Sequence, residues 1–182
     1  YNYIDDVVAL ETYLGKYPNP YRYGYNVEIT DPAGTATPQK RFAMGRFSHE
    51  NAVVMPDQKT AYMSDDGTDV VFYKFVADKA GDLSAGTLYA AKMTQRADNG
   101  FDVTWVKLAH ATDAEIESWV AEYDGITQAD YKEGETSYIS DADVAAWAAG
   151  EAADDRVAFL ESRKAAVAMG ATAEFRKMEG VN

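Results

Sequence analysis

The sequence predicts a mainly-β protein with antiparallel sheets and an inserted helical segment at about residues 112–170. The first observation is a series of short apolar segments, spaced by roughly 8–12 residues and separated by turn signals, as in sandwiches and propellers. The second is a change of pattern at about residue 110, where apolar residues begin to recur at helical spacing behind capping residues. We therefore expect strands over 20–108, helices over 110–170 and a return towards strand over 171–182.

The first elements can be placed from proline and from alternation. Apolar residues over 4–14 predict a short helix, which the prolines of Tyr17-Pro-Asn-Pro20 end because proline does not fit a helix interior. The next segment, YRYGYNVEIT at 21–30, alternates and is rich in Tyr, Val and Ile, which predicts a strand. Asp31-Pro-Ala-Gly34 is a turn signal.

Six further apolar segments continue the strand pattern. They are Phe42–Phe47, Ala52–Met55, Thr60–Ser64, Val70–Val76, Thr87–Thr94 and Phe101–Leu108. The breaks between them contain turn-forming residues, and Asn99-Gly100 in particular is a strong hairpin turn signal. About seven strands in all would make roughly two blades of a propeller.

Capping motifs mark the helical segment. Thr112-x-x-Glu115 and Ser140-x-x-Asp143 both place an N-cap hydroxyl three residues before a carboxylate. A third helix is predicted over 153–169, and an irregular loop over 124–139.

Composition excludes several functions. The 182 residues carry 30 Asp and Glu against 17 Lys and Arg, so the net charge of −13 argues against nucleic-acid binding, which needs basic surface. The chain has no cysteine, hence no disulfide, zinc-thiolate site or thiol nucleophile. No apolar run approaches the ~18 residues of a membrane span. The acidity fits a cation-binding protein or a salt-exposed surface.

Three polar clusters are candidate sites, and each has an ordinary structural alternative. His49-Glu50 could ligate a metal or act as an acid/base pair, or simply end a strand in solvent. The acidic turn at 64–67 suits Ca²⁺, but Asp-Gly is also a common hairpin turn. The segment 175–180 could clamp a phosphate beside a metal-binding carboxylate, or be a solvated charge run.

Several blocks of the sequence resemble the PhoX-type alkaline phosphatases. They are GRFSHENAVV (45–54), YMSDDGTDVVFYKFV (62–76), DLSAGTLYAAK (82–92) and AFLESRKAAVAMGATAEFRKMEGV (158–181), with RYGYNVEI (22–29) upstream. Their order and approximate spacing also match. The resemblance implies a section of a β-propeller from a periplasmic or extracellular phosphomonoesterase that uses Ca²⁺ and Fe³⁺ held mainly by carboxylates.

The resemblance also implies roles for individual residues. Glu50 and Glu179 match metal-ligand glutamates, and Asp65 or Asp66 matches an acidic metal-binding position after a strand. Lys177 stands where many members have the phosphate-contacting Arg of an Arg-Pro-Glu motif. Here the segment is Lys-Met-Glu with Arg176 adjacent, which leaves open which cation meets the phosphate.

The sequence lacks one motif of the family that it resembles. The family's upstream ligand block, often with a metal-binding Cys, has no counterpart in residues 1–182, and further ligands are expected downstream. We therefore expect a single partial domain whose partners are a phosphate ester and the remaining part of the same propeller. The alternative function is that of a non-catalytic extracellular propeller with a binding or structural role.

Overall fold

The computed structural model of the chain describes residues 10–127, 129–130 and 138–181. The strands are β1 (Val27–Thr30), β2 (Thr37–Lys40), β3 (His49–Val54), β4 (Thr60–Asp65), β5 (Thr68–Val70), β6 (Tyr73–Lys79), β7 (Asp82–Gln95), β8 (Phe101–Thr112) and β9 (Phe175–Arg176). The labelled helices are α1 (Asp113–Ala121), α2 (Asp141–Ala148), α3 (Arg156–Leu160) and α4 (Ser162–Ala168). Residues 10–14 are helical as predicted. The part of that predicted helix before residue 10, and residues 128 and 131–137 of the loop predicted over 124–139, lie outside the described residues.

A five-stranded antiparallel sheet forms the body of the fold, in the order β3-β4-β6-β7-β8. Its longest hairpin joins β7 to β8 and turns at Asn99-Gly100, where Asn99 has a φ of 63°. The predicted hairpin is therefore confirmed, because the local turn residues were sufficient to specify it.

The described strands do not divide into two blades of four, as the strand count had suggested. The predicted strand Val70–Val76 is in fact two strands, β5 and β6. β6 continues the large sheet, whereas β5 leaves it and pairs antiparallel with β9. The result is one sheet of five strands and two sheets of two.

Two other predicted strands differ for local reasons. The apolar run at Phe42–Phe47 contains a 3-10 turn at Phe42–Met44, whose three residues are all buried. An apolar run without alternation does not distinguish strand from helix, so the pattern was ambiguous there. In the segment 21–30 only Val27–Thr30 is strand, because Pro20 favours a 3-10 turn at Pro20–Arg22.

The helices begin where the capping motifs predicted. Thr112 and Ser140 each accept from the backbone N–H three residues on, and the matching carboxylates bond back to the N-cap N–H groups. The predicted third helix is broken at Glu161, whose φ of −126° and ψ of 50° are not helical. It therefore forms two short helices, α3 and α4.

The helices pack on one face of the sheet and complete the core. Buried residues of both layers meet there, among them Met63, Phe75, Leu88, Ile116, Val120, Phe159 and Leu160. In the described part of the chain, no helix combines the length and apolar character needed to cross a bilayer. The short strand β9 returns the end of the chain to β5, which positions the candidate site.

Candidate functional site

Three segments that are distant in the sequence meet at the end of β4. β3 pairs with this end of β4, so that His49 lies opposite Asp65 and Asn51 opposite Ser64. The Ser64 hydroxyl donates to the carbonyl oxygen of Glu179 at 3.4 Å. The sequence blocks around residues 50, 65 and 177 therefore form one neighbourhood, which we call the β4-end site.

A β-bulge presents Glu50. The β3–β4 register advances by two residues on β3 and by one on β4 between His49 and Asn51, which leaves Glu50 as the extra, exposed residue. Bulges bend a strand and redirect one side chain, and they are common beside active sites. The sequence identified Glu50 but could not predict this geometry, because a bulge depends on the pairing of two strands.

The β4–β5 turn faces the segment after β9. The Lys177 N–H donates to the carbonyl oxygen of Gly67 at 2.8 Å. The Lys177 ammonium lies 3.5 Å from the Asp66 carboxylate, and these side chains are 72% and 41% exposed. Lys177 has a φ of 48°, in the left-handed region that side-chain-bearing residues rarely adopt. Such backbone strain often occurs at functional sites.

Arg176 takes a different position from Lys177. It is exposed, and its backbone lies opposite Thr68 in the β5–β9 pair. Glu179 is also exposed, and its backbone is tied to Ser64. Ser64 therefore connects the two segments, because its backbone pairs with Asn51, next to Glu50, and its hydroxyl bonds to the Glu179 carbonyl.

Asp65 is the buried member of the site, with no exposed side-chain surface. Its carboxylate accepts from Arg163 Nε at 2.6 Å and from Arg163 Nη2 at 2.5 Å. It also accepts from the backbone N–H groups of Ser48, at 3.1 Å, and Val71. Burial raises the pKa of Asp65, against the lowering effect of the guanidinium. Because these donors occupy both oxygens, Asp66 is the member of the Asp65-Asp66 pair with an accessible carboxylate.

Sequence reasoning missed Arg163. The segment 161–164 has the pattern of a surface charge set with a local Glu161–Lys164 pair, yet Lys164 bonds Asp141 at 2.7 Å and Arg163 reaches Asp65. The two partners lie 98 positions apart, so no local pattern could indicate this ion pair. Its only sequence signal was the position of Arg163 in the block that resembles the phosphatase family.

His49 has a structural role in this arrangement. Its Nε2 lies 3.0 Å from the Gly45 carbonyl oxygen, and its Nδ1 lies 3.0 Å from Asn26 Nδ2. The carbonyl can only accept and the amide nitrogen can only donate, so the ring is neutral with its proton on Nε2. Burial lowers the pKa of His49 to about 4. With both nitrogens engaged, the ring fixes the start of the bulge and is not free to bind a metal.

The chemistry of the donor set partly fits a metal centre. Glu50 and Glu179 are exposed and Asp66 is half-buried, and all three carry carboxylates of the kind that Ca²⁺ binds. Beside Glu50, the buried Asn51 Oδ1 has no hydrogen-bond partner in the described part of the chain, and amide oxygens are also Ca²⁺ ligands. Across residues 10–127, 129–130 and 138–181, however, no three Asp, Glu or His side chains converge as a complete metal site. The chain therefore offers donors of the right type but too few of them.

The β4-end site thus combines carboxylates with the Lys177 ammonium at one end of an antiparallel sheet. The family model for alkaline phosphatase PhoX matches residues 6–182, and the chain belongs to that family. The chain is also similar to a solved structure of Pseudomonas fluorescens PhoX in complex with vanadate, a transition-state analogue, with 28% identity and a TM-score of 0.58. No curated protein matched significantly.

The structural match covers 88% of this chain and 26% of the Pseudomonas chain, so this chain spans about a quarter of the length of that relative. Together with the antiparallel sheets, the match confirms the predicted fold class, a mainly-β section of a propeller-like fold.

Proposed function

We propose that this chain is a section of a metal-dependent phosphatase that hydrolyses phosphate monoesters and releases inorganic phosphate. The observation that carries the proposal is that strand pairing and backbone hydrogen bonds bring the segments of Glu50, Asp66, Lys177 and Glu179 to the β4-end site, where Lys177 contacts Asp66. Vanadate bound to the Pseudomonas relative supports phosphate chemistry in that protein.

We assign the binding of substrate phosphate to Lys177. Its ammonium is exposed and lies beside an acidic turn, where the 3.5 Å contact with Asp66 limits its orientation. The Arg176 backbone lies in the β5–β9 pair instead, opposite Thr68, whereas Lys177 lies after the end of β9 with a left-handed backbone. We therefore propose Lys177 as the principal phosphate contact and Arg176 as a contributor to the local positive charge.

We assign metal binding to Glu50 and Glu179, with Asp66 as a third ligand. Bound Ca²⁺ and Fe³⁺ would neutralise phosphate oxygens and activate an oxygen nucleophile. The bulge directs Glu50 outward, and the bond from Ser64 fixes the backbone at Glu179. Asp65, predicted as an alternative ligand, is assigned instead to orienting the turn, because Arg163 holds its carboxylate. The remaining ligands would come from other parts of the same propeller.

We further propose a periplasmic or extracellular location, in which an acidic surface meets a salt-containing medium. The net charge of −13 also argues against a nucleic-acid partner.

The test is hydrolysis of p-nitrophenyl phosphate by the full-length protein. The proposal expects metal-dependent release of phosphate, together with bound calcium and iron in the purified protein. A protein that binds both metals without hydrolysing the ester would contradict the catalytic proposal.

A second candidate is a non-catalytic extracellular propeller. Lys-Met-Glu in place of Arg-Pro-Glu and the absence of a three-ligand cluster among the described residues favour it. Elemental analysis separates the two, since stoichiometric calcium and iron would count against the non-catalytic function.

A further inference from the structure

We propose that Arg163 is a positioning residue of the β4-end site, an inference that rests on the function proposed above. Through the side chain of Asp65 and the backbone of Asp66, its guanidinium would fix the turn that presents Asp66 to Lys177. Arg163 would act on the assigned metal-binding residues through these neighbours.

The guanidinium holds two consecutive residues of the turn. Its Nε and Nη2 donate to the two carboxylate oxygens of Asp65, at 2.6 and 2.5 Å. Nη2 also donates to the Asp66 carbonyl oxygen, at 3.0 Å. A planar fork matches a carboxylate in this way, whereas a lysine ammonium would act as a point charge.

Gly67 lies in the same turn, beside this guanidinium. Gly67 has a φ of 142°, and an added Cβ would lie 3.0 Å from Val70 and 3.6 Å from Arg163 Nη2. The Gly67 carbonyl oxygen accepts the Lys177 N–H. Arg163 and Lys177 therefore hydrogen-bond to consecutive backbone carbonyl oxygens of one turn, those of Asp66 and Gly67.

Asp65 transmits the position of Arg163 to the bulge as well. Its carboxylate accepts the Ser48 N–H, and the Ser48 carbonyl accepts the Asp66 N–H at 2.8 Å. Ser48 lies two residues before Glu50. A shift of the Asp65 carboxylate would therefore disturb both the Glu50 segment and the Asp66 turn.

The helix break makes this reach possible and adds a second attachment. α4 begins at Ser162, immediately after Glu161, and the Ser162 hydroxyl accepts the Arg46 N–H at 3.0 Å. Arg46 also donates to the Leu160 carbonyl oxygen at 3.1 Å. The chain around the start of α4 therefore contacts both the segment before β3, through Arg46, and the end of β4, through Asp65.

The experiment compares Arg163→Lys and Arg163→Ala with Arg156→Ala in the full-length protein. Arg156 is the matched control because it also makes multiple ion-pair contacts in the helical segment, with Asp154 and Glu122. The readouts are kcat and KM for p-nitrophenyl phosphate, inhibition by inorganic phosphate, and Tm.

We expect both Arg163 variants to raise KM and the phosphate inhibition constant by roughly tenfold or more, because a small displacement of binding groups is costly. Millimolar guanidinium, but not sodium chloride of equal ionic strength, should partly restore Arg163→Ala, since the Arg163 side chain is 36% exposed. Arg156→Ala should lower Tm without changing KM. An Arg163 effect on Tm alone, with KM unchanged, would overturn the inference.

Hydrogen exchange gives a readout that does not depend on activity. In Arg163→Lys, the amides of Ser48, Asp66 and Lys177 should exchange faster than in the wild type, and Arg156→Ala should leave them unchanged. Normal exchange there would contradict the positioning role. A wild-type protein without phosphatase activity would instead contradict the proposed function, while leaving the exchange result to decide on the contact itself.

Discussion

The Arg163 guanidinium donates to both carboxylate oxygens of Asp65 across 98 positions of sequence. This ion pair connects the helical segment to the end of β4, where three sequence blocks meet. The Asp65 carboxylate is fully buried and has no access to solvent. Its negative charge therefore needs the Arg163 guanidinium to compensate for the hydration that it loses.

Neutralising Asp65 should destabilise the protein. Asp65→Asn removes the charge that faces Arg163 and places an NH₂ group where an acceptor is needed, at a cost of about 2–3 kcal/mol in the free energy of unfolding. Asp141→Asn is the control, because Asp141 forms an exposed pair with Lys164 whose loss should cost under about 1 kcal/mol. Denaturant titration measures both. If the two variants lowered the free energy of unfolding equally, the buried Asp65–Arg163 pair would contribute no more to stability than an exposed pair.

Replacing Lys177 should weaken phosphate binding. Lys177→Ala removes the exposed ammonium and should reduce kcat/KM by about a hundredfold, which corresponds to about 2.7 kcal/mol. Lys177→Arg should keep most of the activity, since arginine also binds phosphate and stands at this position in the motif that the segment resembles. Steady-state kinetics checks both variants, with Lys164→Ala as a control cation outside the site. Unchanged kinetics in Lys177→Ala would exclude it as the phosphate contact.

Metal removal should abolish activity before it unfolds the protein. Chelation with EGTA should inactivate the full-length protein, and added Ca²⁺ should restore it, because oxygen ligands such as Glu50 and Glu179 favour a hard cation. Circular dichroism recorded in parallel should retain its β-sheet signal. Full activity after exhaustive chelation of calcium and iron would contradict the assigned cofactors.

Stability should depend on the protonation of His49. Its pKa of about 4 in the folded protein lies below the ordinary value of 6.5, so between these values the unfolded chain binds more protons. The stabilisation is complete above about pH 6.5 and is lost as the pH falls towards 4, by up to about 1.4 kcal/mol per pH unit. His49→Gln should remove this part of the pH dependence, whereas His110→Gln, at an exposed histidine, should not. Parallel stability–pH curves for wild type and His49→Gln would contradict the assignment.

Local signals in the sequence were sufficient for much of the fold. The capping boxes at Thr112 and Ser140 and the Asn99-Gly100 hairpin depend on residues within three positions of each other, and all formed as predicted. The break at Glu161 was not predictable in the same way, because the segment around it has helical periodicity throughout.

The candidate site was predictable only as separate residues. Glu50, Asp66, Lys177 and Glu179 were identified from blocks of sequence, yet their proximity depends on strand pairing and on the return of β9 to β5. Arg163 could not be found from local pattern, since its partner is in another layer of the fold.

The central claim is that Glu50 and Glu179 act in one site, and a double-mutant cycle on kcat/KM tests it most directly. Glu50→Gln and Glu179→Gln should each reduce kcat/KM of the full-length protein by about a hundredfold. Glu174→Gln, at an exposed glutamate nearby, serves as the control. The effects of residues that act as a unit are strongly non-additive. The kcat/KM of the double variant should therefore lie only slightly below that of the less active single variant. Effects that multiply, or full activity in either single variant, would contradict a shared site.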